Sequence, residues 1–273
     1  RRWNRRTRQG RRGPAVMTPM KKAVVTGAGR GLGTVIAQRL EAAGYDVIAT
    51  DITGAPEFLD VTDAQACREL ASAVQPDVWV NNAGILGQGS AADISDDLVA
   101  NVVAVNLLGV MNGTRAAVSV MRERDGGRGR GHIVNIGSLA SWVPVPGEAV
   151  YAATKAGVLS FTLGLDGDLQ ESGVTGIRLS VICPDGMLTP MITDVIDDPA
   201  VALSFTGIRL TTPEEVADAV AKVLHRHRRI VSVPHWRGAQ VRTFGAIPDA
   251  VLRAAPVFRR LGRAQQDRAR RAR

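Results

Sequence analysis

Lys22-Ala23-Val24-Val25-Thr26 reads as a short buried strand, and the chain then runs straight into Gly27-Ala28-Gly29-Arg30-Gly31-Leu32-Gly33 and a helical pattern over 34–43. No other stretch constrains the fold as tightly. A strand that turns on glycines into a helix points the free N–H groups of the helix N-terminus at the turn, which suits a bound pyrophosphate. It is also the opening of a βαβ unit, and so of a parallel sheet.

The next strand, 46–50, ends in Asp51. An acid there accepts hydrogen bonds from ribose hydroxyls and repels a 2′-phosphate. Arg30, a cation in the glycine turn, works the other way. NAD is therefore expected, with NADP admitted by Arg30. Asp51 and Asp60 are too close for a crossover helix, and Gly54 and Pro56 lie between them. An irregular link is expected, then a strand over 57–61, a helix over 63–74, and a fourth strand over 77–80 running into Asn81-Asn82-Ala83-Gly84.

The segments TGAGRGLG at 26–33, LDVTD at 59–63 and NNAG at 81–84 together resemble the short-chain dehydrogenase/reductase family, over residues 21–235. The resemblance implies a single doubly wound α/β domain of Rossmann type with a seven-stranded parallel sheet. It implies an NAD(P)-dependent oxidoreductase that interconverts a secondary alcohol and a ketone. Gly27, Gly29, Arg30, Gly31, Leu32 and Gly33 would then form the cofactor turn. Asp60 and Val61 would flank the adenine, and Asn82, Ala83 and Gly84 would line its ribose.

Tyr151 and Lys155 stand one helical turn apart and share a face. An ammonium beside a phenol lowers the proton affinity of a group that ordinarily titrates near about 10. Ser138 lies thirteen residues upstream of Tyr151, just past a strand over 132–136, and Asn106 falls inside one long helix expected over 98–124. Asn106, Ser138, Tyr151 and Lys155 match the family's catalytic set in order, identity and spacing. By that resemblance Tyr151 is the acid/base, and Lys155 lowers its proton affinity and holds the nicotinamide ribose. Ser138 donates to the substrate oxygen. Asn106 loosens its helix so that its main-chain carbonyl holds a water touching Lys155.

A sixth strand over 177–183 leads into Pro184-Asp185-Gly186-Met187-Leu188-Thr189. The family usually has glycine directly after this proline, so Asp185 is a departure. Met187, through its backbone, and Thr189 keep the spacing that places them at the nicotinamide carboxamide. Residues 190–212 are expected to cover the site. They carry Met191, Ile192, Val195, Ile196, Val201, Leu203, Phe205 and Ile208, and Trp142 to Pro146 is also apolar. An apolar alcohol or ketone is the expected substrate, the competing reading being that these side chains only pack the cover. A reductase of an acyl-thioester or enone intermediate is an alternative function, and a non-catalytic NAD(P)-sensing protein is another.

A helix over 213–224 and a seventh strand over 230–233 follow, and then a long tail. Ile247, Val251, Ala254, Phe258 and Leu261 recur there at helical spacing among arginines, interrupted by Pro256. This partly helical extension, 236–273, is expected to pack on its own domain or on a neighbouring subunit. Peripheral contact with anionic membrane is its other reading. A homodimer or homotetramer is expected.

The formal charge of +8 belongs to the two ends: residues 1–16 hold seven arginines and no acid, and residues 253–273 hold eight arginines and one acid, Asp267. Between the ends acids outnumber bases. No groove-reading motif accompanies the tails, so nucleic acid is not an expected partner. Residues 1–20 read as a disordered basic arm or as an artefact of the assigned start. Cys67 and Cys183 are far apart, and the histidines 132, 225, 227 and 235 hold no ligand spacing, so no metal is expected. The most apolar run, Leu98 to Met111, is broken by Asn101 and Asn106. A cytoplasmic protein is expected.

Overall fold

The computed structural model describes residues 20–271, so the basic arm expected at the N-terminus lies outside the described residues up to Met20. Seven strands form one sheet: β1 (Lys22–Thr26), β2 (Asp46–Asp51), β3 (Glu57–Phe58), β4 (Val78–Asn81), β5 (Gly131–Ile136), β6 (Ile177–Pro184) and β7 (Ile230–Val233). Their order is β3-β2-β1-β4-β5-β6-β7, and every pairing is parallel. The order reverses between β1 and β4, which opens a crevice at the carboxyl ends of those strands.

Alternate residues of a strand face opposite sides of the sheet, and helices cover both sides. On one side Val25, Val80, Val134 and Ile182 pack against Ile36 and Leu40 of α1 (Leu32–Ala42). On the other, Val24, Trp79, Ile133 and Leu179 pack against Cys67 and Ala71 of α2 (Ala64–Val74). The near-continuous apolar strands follow from this double burial. The remaining helices are α3 (Asp96–Val103), α4 (Gly109–Met121), α5 (Ala149–Glu171), α6 (Pro190–Thr193), α7 (Pro213–His225), α8 (His235–Gly245) and α9 (Pro248–Arg271).

Two expectations change. The third strand stops at Phe58, because the Asp60 carboxylate accepts the N–H and the hydroxyl of Thr62 (2.9 and 2.7 Å) and turns the chain out of the sheet. The helix expected over 98–124 begins earlier, where Ser95 caps α3, and ends at Met121. Between α3 and α4, residues Ala104–Leu108 widen into a π-turn. The whole run Asp96–Met121 is long and apolar enough to cross a membrane by length and composition. Here Ala116, Ala117 and Met121 are instead buried against Trp79 and Ile133 in the core.

The tail departs most. Pro256 sits on the exposed side of α9 and the helix runs through it. Leu261, expected inside, is 61% exposed. The inner stripe passes instead through Phe258, Gly262 and Gln266, because α9 comes so close to the turn Pro199–Phe205 that a side chain at Gly262 would strike the Ala202 carbonyl. Buried Gln266 donates through Nε2 to the carbonyls of Ile196 (2.7 Å) and Asp198 (2.8 Å). The extension therefore packs on its own domain.

Gln266→Leu leaves both carbonyls without that donor and is expected to lower stability by about 1–3 kcal/mol. A urea titration reads the loss, and hydrogen exchange should quicken over residues 196–206. An unchanged midpoint would mean that α9 is not anchored there.

Candidate active site

The carboxyl ends of the central strands open into one cavity of about 700 Å³. Its wall includes Gly27, Arg30, Gly31, Leu32, Asp51, Asp60, Val61, Asn82, Ala83 and Gly84 from the first half of the chain, and Ser138, Tyr151, Lys155, Met187 and Thr189 from the second. Gly29, Gly33 and Asn106 stand behind that wall. Gly33 has no room for a side chain, which would strike the Gly27 carbonyl, and Gly31 holds φ +62°, the left-handed region that favours glycine.

α2, α3 and α7 are capped by Asp63, Ser95 and Thr212, whereas α1 has neither a capping side chain nor an acid in its first turn. Its first N–H groups are left open toward the cavity, the arrangement an anion needs. Asp51 is oriented by accepting the Gly29 N–H (2.9 Å) and the Ile52 N–H (2.7 Å). These residues fit the diphosphate and ribose of a dinucleotide. Arg30 is engaged elsewhere: its guanidinium pairs with Asp194 at 2.7 Å, joining the glycine turn to the end of α6.

Ser138 follows β5, and its hydroxyl is near enough to the Tyr151 phenol to favour the phenolate. It also accepts the Ala140 N–H at 3.1 Å. Lys155 is 3% exposed, and its Nζ donates to the Ile136 carbonyl at 3.0 Å. That nitrogen lies 5.6 Å from the centre of the Tyr151 ring. Burial lowers Lys155 to about 8. Tyr151 moves against expectation. Burial drives it well above its ordinary value, the charge of Glu148 adds to the rise, and the Ser138 hydroxyl opposes it. In the protein alone the phenol keeps its proton, because desolvation outweighs its polar neighbours.

Asn106 acts as a staple. Its side chain donates to the Ile85 carbonyl and accepts the Ile85 N–H, both at 2.8 Å, and so pins the loop after β4 to the π-turn. Asp185 has a matched partner, since its carboxylate pairs with Arg237 of α8 at 3.0 Å. Arg237 also donates to Thr206 at 2.9 Å. The departure after Pro184 is thus the anchor point of the tail, which adds Val241, Phe244, Val251 and Phe258 to a wall already holding Val143, Val145 and Leu203.

Among the cavity residues that escaped the sequence reading, Glu148, Ser204 and Arg237 carry polar side chains tied to distant partners. Glu148 left a signal, being the one acid between Asp125 and Asp166 and standing three residues before Tyr151. Ser204 and Arg237 left none, because their partners are distant in the chain. Glu148 is 2% exposed, accepts the Ser204 hydroxyl at 2.7 Å, and is raised by burial to about 7.

A raised carboxyl binds its proton more tightly when folded. Its contribution is full below the ordinary 4.5 and is lost as pH climbs through about 7. Glu148→Gln should therefore gain on the wild type across that window, by up to about 3 kcal/mol. Urea titrations at about pH 5 and about pH 8 check this. A difference independent of pH would contradict the burial of the carboxyl.

A family model described as short chain dehydrogenase matches residues 55–200. The chain is 34% identical over 224 residues to the 2-keto-3-deoxy-L-fuconate dehydrogenase of Xanthomonas campestris, covering 73% of this chain and 72% of that one. It is 31% identical to the probable oxidoreductase EphD of Mycobacterium tuberculosis over 76% of its own length, and spans 40% of that longer protein. A crystal structure of actinorhodin polyketide ketoreductase with NADPH superposes with a TM-score of 0.68 at 30% identity, covering 78% of this chain and 95% of that one.

Proposed function

The chain belongs to the short-chain dehydrogenase/reductase family of oxidoreductases, and on that footing we propose that it interconverts an apolar secondary alcohol and its ketone, using NAD, with Tyr151 handling the proton. The observation that carries this reading is the grouping of Ser138, Tyr151 and buried Lys155 on the cavity wall.

When bound, the nicotinamide supplies the hydride exchange and, in its oxidised form, a positively charged ring. The protein's share is the proton and the developing charge. In the reducing direction the protonated Tyr151 gives its proton to the substrate oxygen, and the Ser138 hydroxyl donates a hydrogen bond to the same oxygen as charge gathers there. Lys155, held at the Ile136 carbonyl, stands close enough to stabilise the phenolate left behind. In the oxidising direction the same groups run in reverse. Asn106 keeps the loop bearing Gly84 in register with Lys155, which makes it a positioning residue.

Asp51 supports NAD, since a carboxylate held at the end of β2 would repel a 2′-phosphate, and Arg30 pairs with Asp194. The apolar side chains from the cover and the tail support a hydrophobic substrate. A second reading, reduction of a ketone carried on an acyl-thioester, is favoured by the likeness to a polyketide ketoreductase and would use the same three residues. A purely sensing role gives the tyrosine and the buried lysine no work.

Two experiments test this. Wild-type protein given NADH and a panel of free apolar ketones, sugars and acyl-thioester ketones should reduce the free apolar ketones fastest. Preference for sugars would refute the substrate class, and preference for thioesters would install the second reading. The kcat/KM for NADH should exceed that for NADPH, and Asp51→Ala should narrow the gap about tenfold, the cost of one hydrogen-bonded contact to the ribose. An enzyme that favours NADPH would overturn the role given to Asp51.

A further inference from the structure

Glu148 is a carboxyl that the reaction above does not use. It occupies the N-cap position of α5, yet its side chain makes no capping bond. Glu148 lies instead on the cavity wall and is near-completely buried. One oxygen takes the Ser204 hydroxyl. Among the described residues the other has no hydrogen-bond partner, and no cation pairs with the carboxyl. Arg237, another charged residue of the cavity wall, pairs with Asp185.

Such a carboxyl is costly. Burying an acid away from water without a cation or a full set of donors is unfavourable, whereas an apolar side chain of similar size at the same place would cost little. Ser204 accounts for one oxygen only. The carboxyl belongs to a residue lining a cavity that can admit a ligand, at the start of the helix that carries the acid/base and three residues before it. Its charge reaches Tyr151, where it is the second-largest cause of the rise.

We propose that Glu148 is a specificity-determining residue which accepts a hydrogen bond from a second donor group on the substrate, a hydroxyl or an ammonium within one or two carbons of the reacting carbon. This rests on the alcohol/ketone reading and narrows it. The preferred substrate is an apolar chain or ring carrying a hydroxy-ketone or amino-ketone unit, or the matching diol or amino alcohol. Tyr151 and Ser138 take the reacting oxygen, and Glu148 takes the neighbouring donor. A ligand with no second donor leaves the carboxyl oxygen bare in an apolar wall, which is how a site built for a polar group rejects its deoxy analogue.

The test uses the full chain loaded with NAD. A linear secondary alcohol, the matching vicinal and one-carbon-spaced diols, and the matching amino alcohols are titrated by calorimetry, and NADH formation is followed in parallel. Wild type should bind a diol or an amino alcohol about tenfold more tightly than the plain alcohol, the size of one hydrogen bond to a charged group. Glu148→Leu should bring that ratio to about twofold or less, with the change in KM rather than kcat. Glu148→Gln should keep the preference for the hydroxyl and lose that for the ammonium. Ser204→Ala should retain both, which separates substrate recognition from a mere tie between α5 and the cover.

Equal affinities in wild type, or a preference that survives Glu148→Leu, would overturn the proposal. If Glu148→Leu fails to fold, the ammonium arm of Glu148→Gln still decides, and a retained ammonium preference would overturn it. The two readings fail differently. Selective binding of diols with no NADH formed would sink the reaction and leave Glu148's role standing. NADH formed alike from plain and donor-bearing alcohols, with like affinities, would sink the role of Glu148 and leave the reaction.

Discussion

The site depends on one ammonium group kept out of water. Lys155 is 3% exposed and has no carboxylate partner among the described residues; the Ile136 carbonyl at the end of β5 holds it. An ion so placed costs several kcal/mol unless its surroundings are arranged around it. The arrangement comes from the topology, because the crossover from β5 to β6 runs through α5 and brings that helix across the carboxyl end of the sheet. The Ser141 hydroxyl donates to the Lys155 carbonyl at 2.9 Å and ties the turn after β5 to the same helix. Ser138 is thereby set against Tyr151. The side chains of the site are held by strand ends and helix backbone.

Around that centre the cavity is closed by polar ties between segments distant in the chain. Asn106 pins the loop after β4. Asp185 and Arg237 pin the tail, and Glu148 and Ser204 join α5 to the cover. Each tie is buried or partly buried, where an unmade hydrogen bond is costly, so the pairs work as registration points for otherwise non-directional apolar packing. The tail belongs to this set. With Phe244, Val251 and Phe258 on the wall, α8 and α9 help to shape the cavity.

The sheet and part of the cavity wall were legible in the residues because their signals are local. Apolar strand runs, a glycine turn and a strand-end acid each announce themselves within a few positions, and the four residues Asn106, Ser138, Tyr151 and Lys155 could be placed on their elements by spacing. What was not legible depends on long-range contact. Nothing near Asp185 hints at Arg237, and nothing near Leu203 hints that Ser204 meets Glu148. The apolar stripe of the tail was drawn through Leu261 because leucine is apolar. The structure runs it through Gly262, because closeness of approach there outweighs hydrophobicity. The proton affinity of Tyr151 was expected to fall beside Lys155. Burial, invisible in a list of neighbours, moves it the other way.

The central claim is that the Tyr151 phenol supplies and removes the proton. Substituting Tyr151→Phe deletes only that hydroxyl, and NADH binding, followed by the fluorescence of the reduced nicotinamide, should survive in the variant. Turnover of a ketone accepted by the wild type should then fall by about a hundredfold to ten-thousandfold, the usual worth of a general acid. Intact NADH binding with that loss is the expected result. A Tyr151→Phe enzyme that turns over at the wild-type rate would contradict the account.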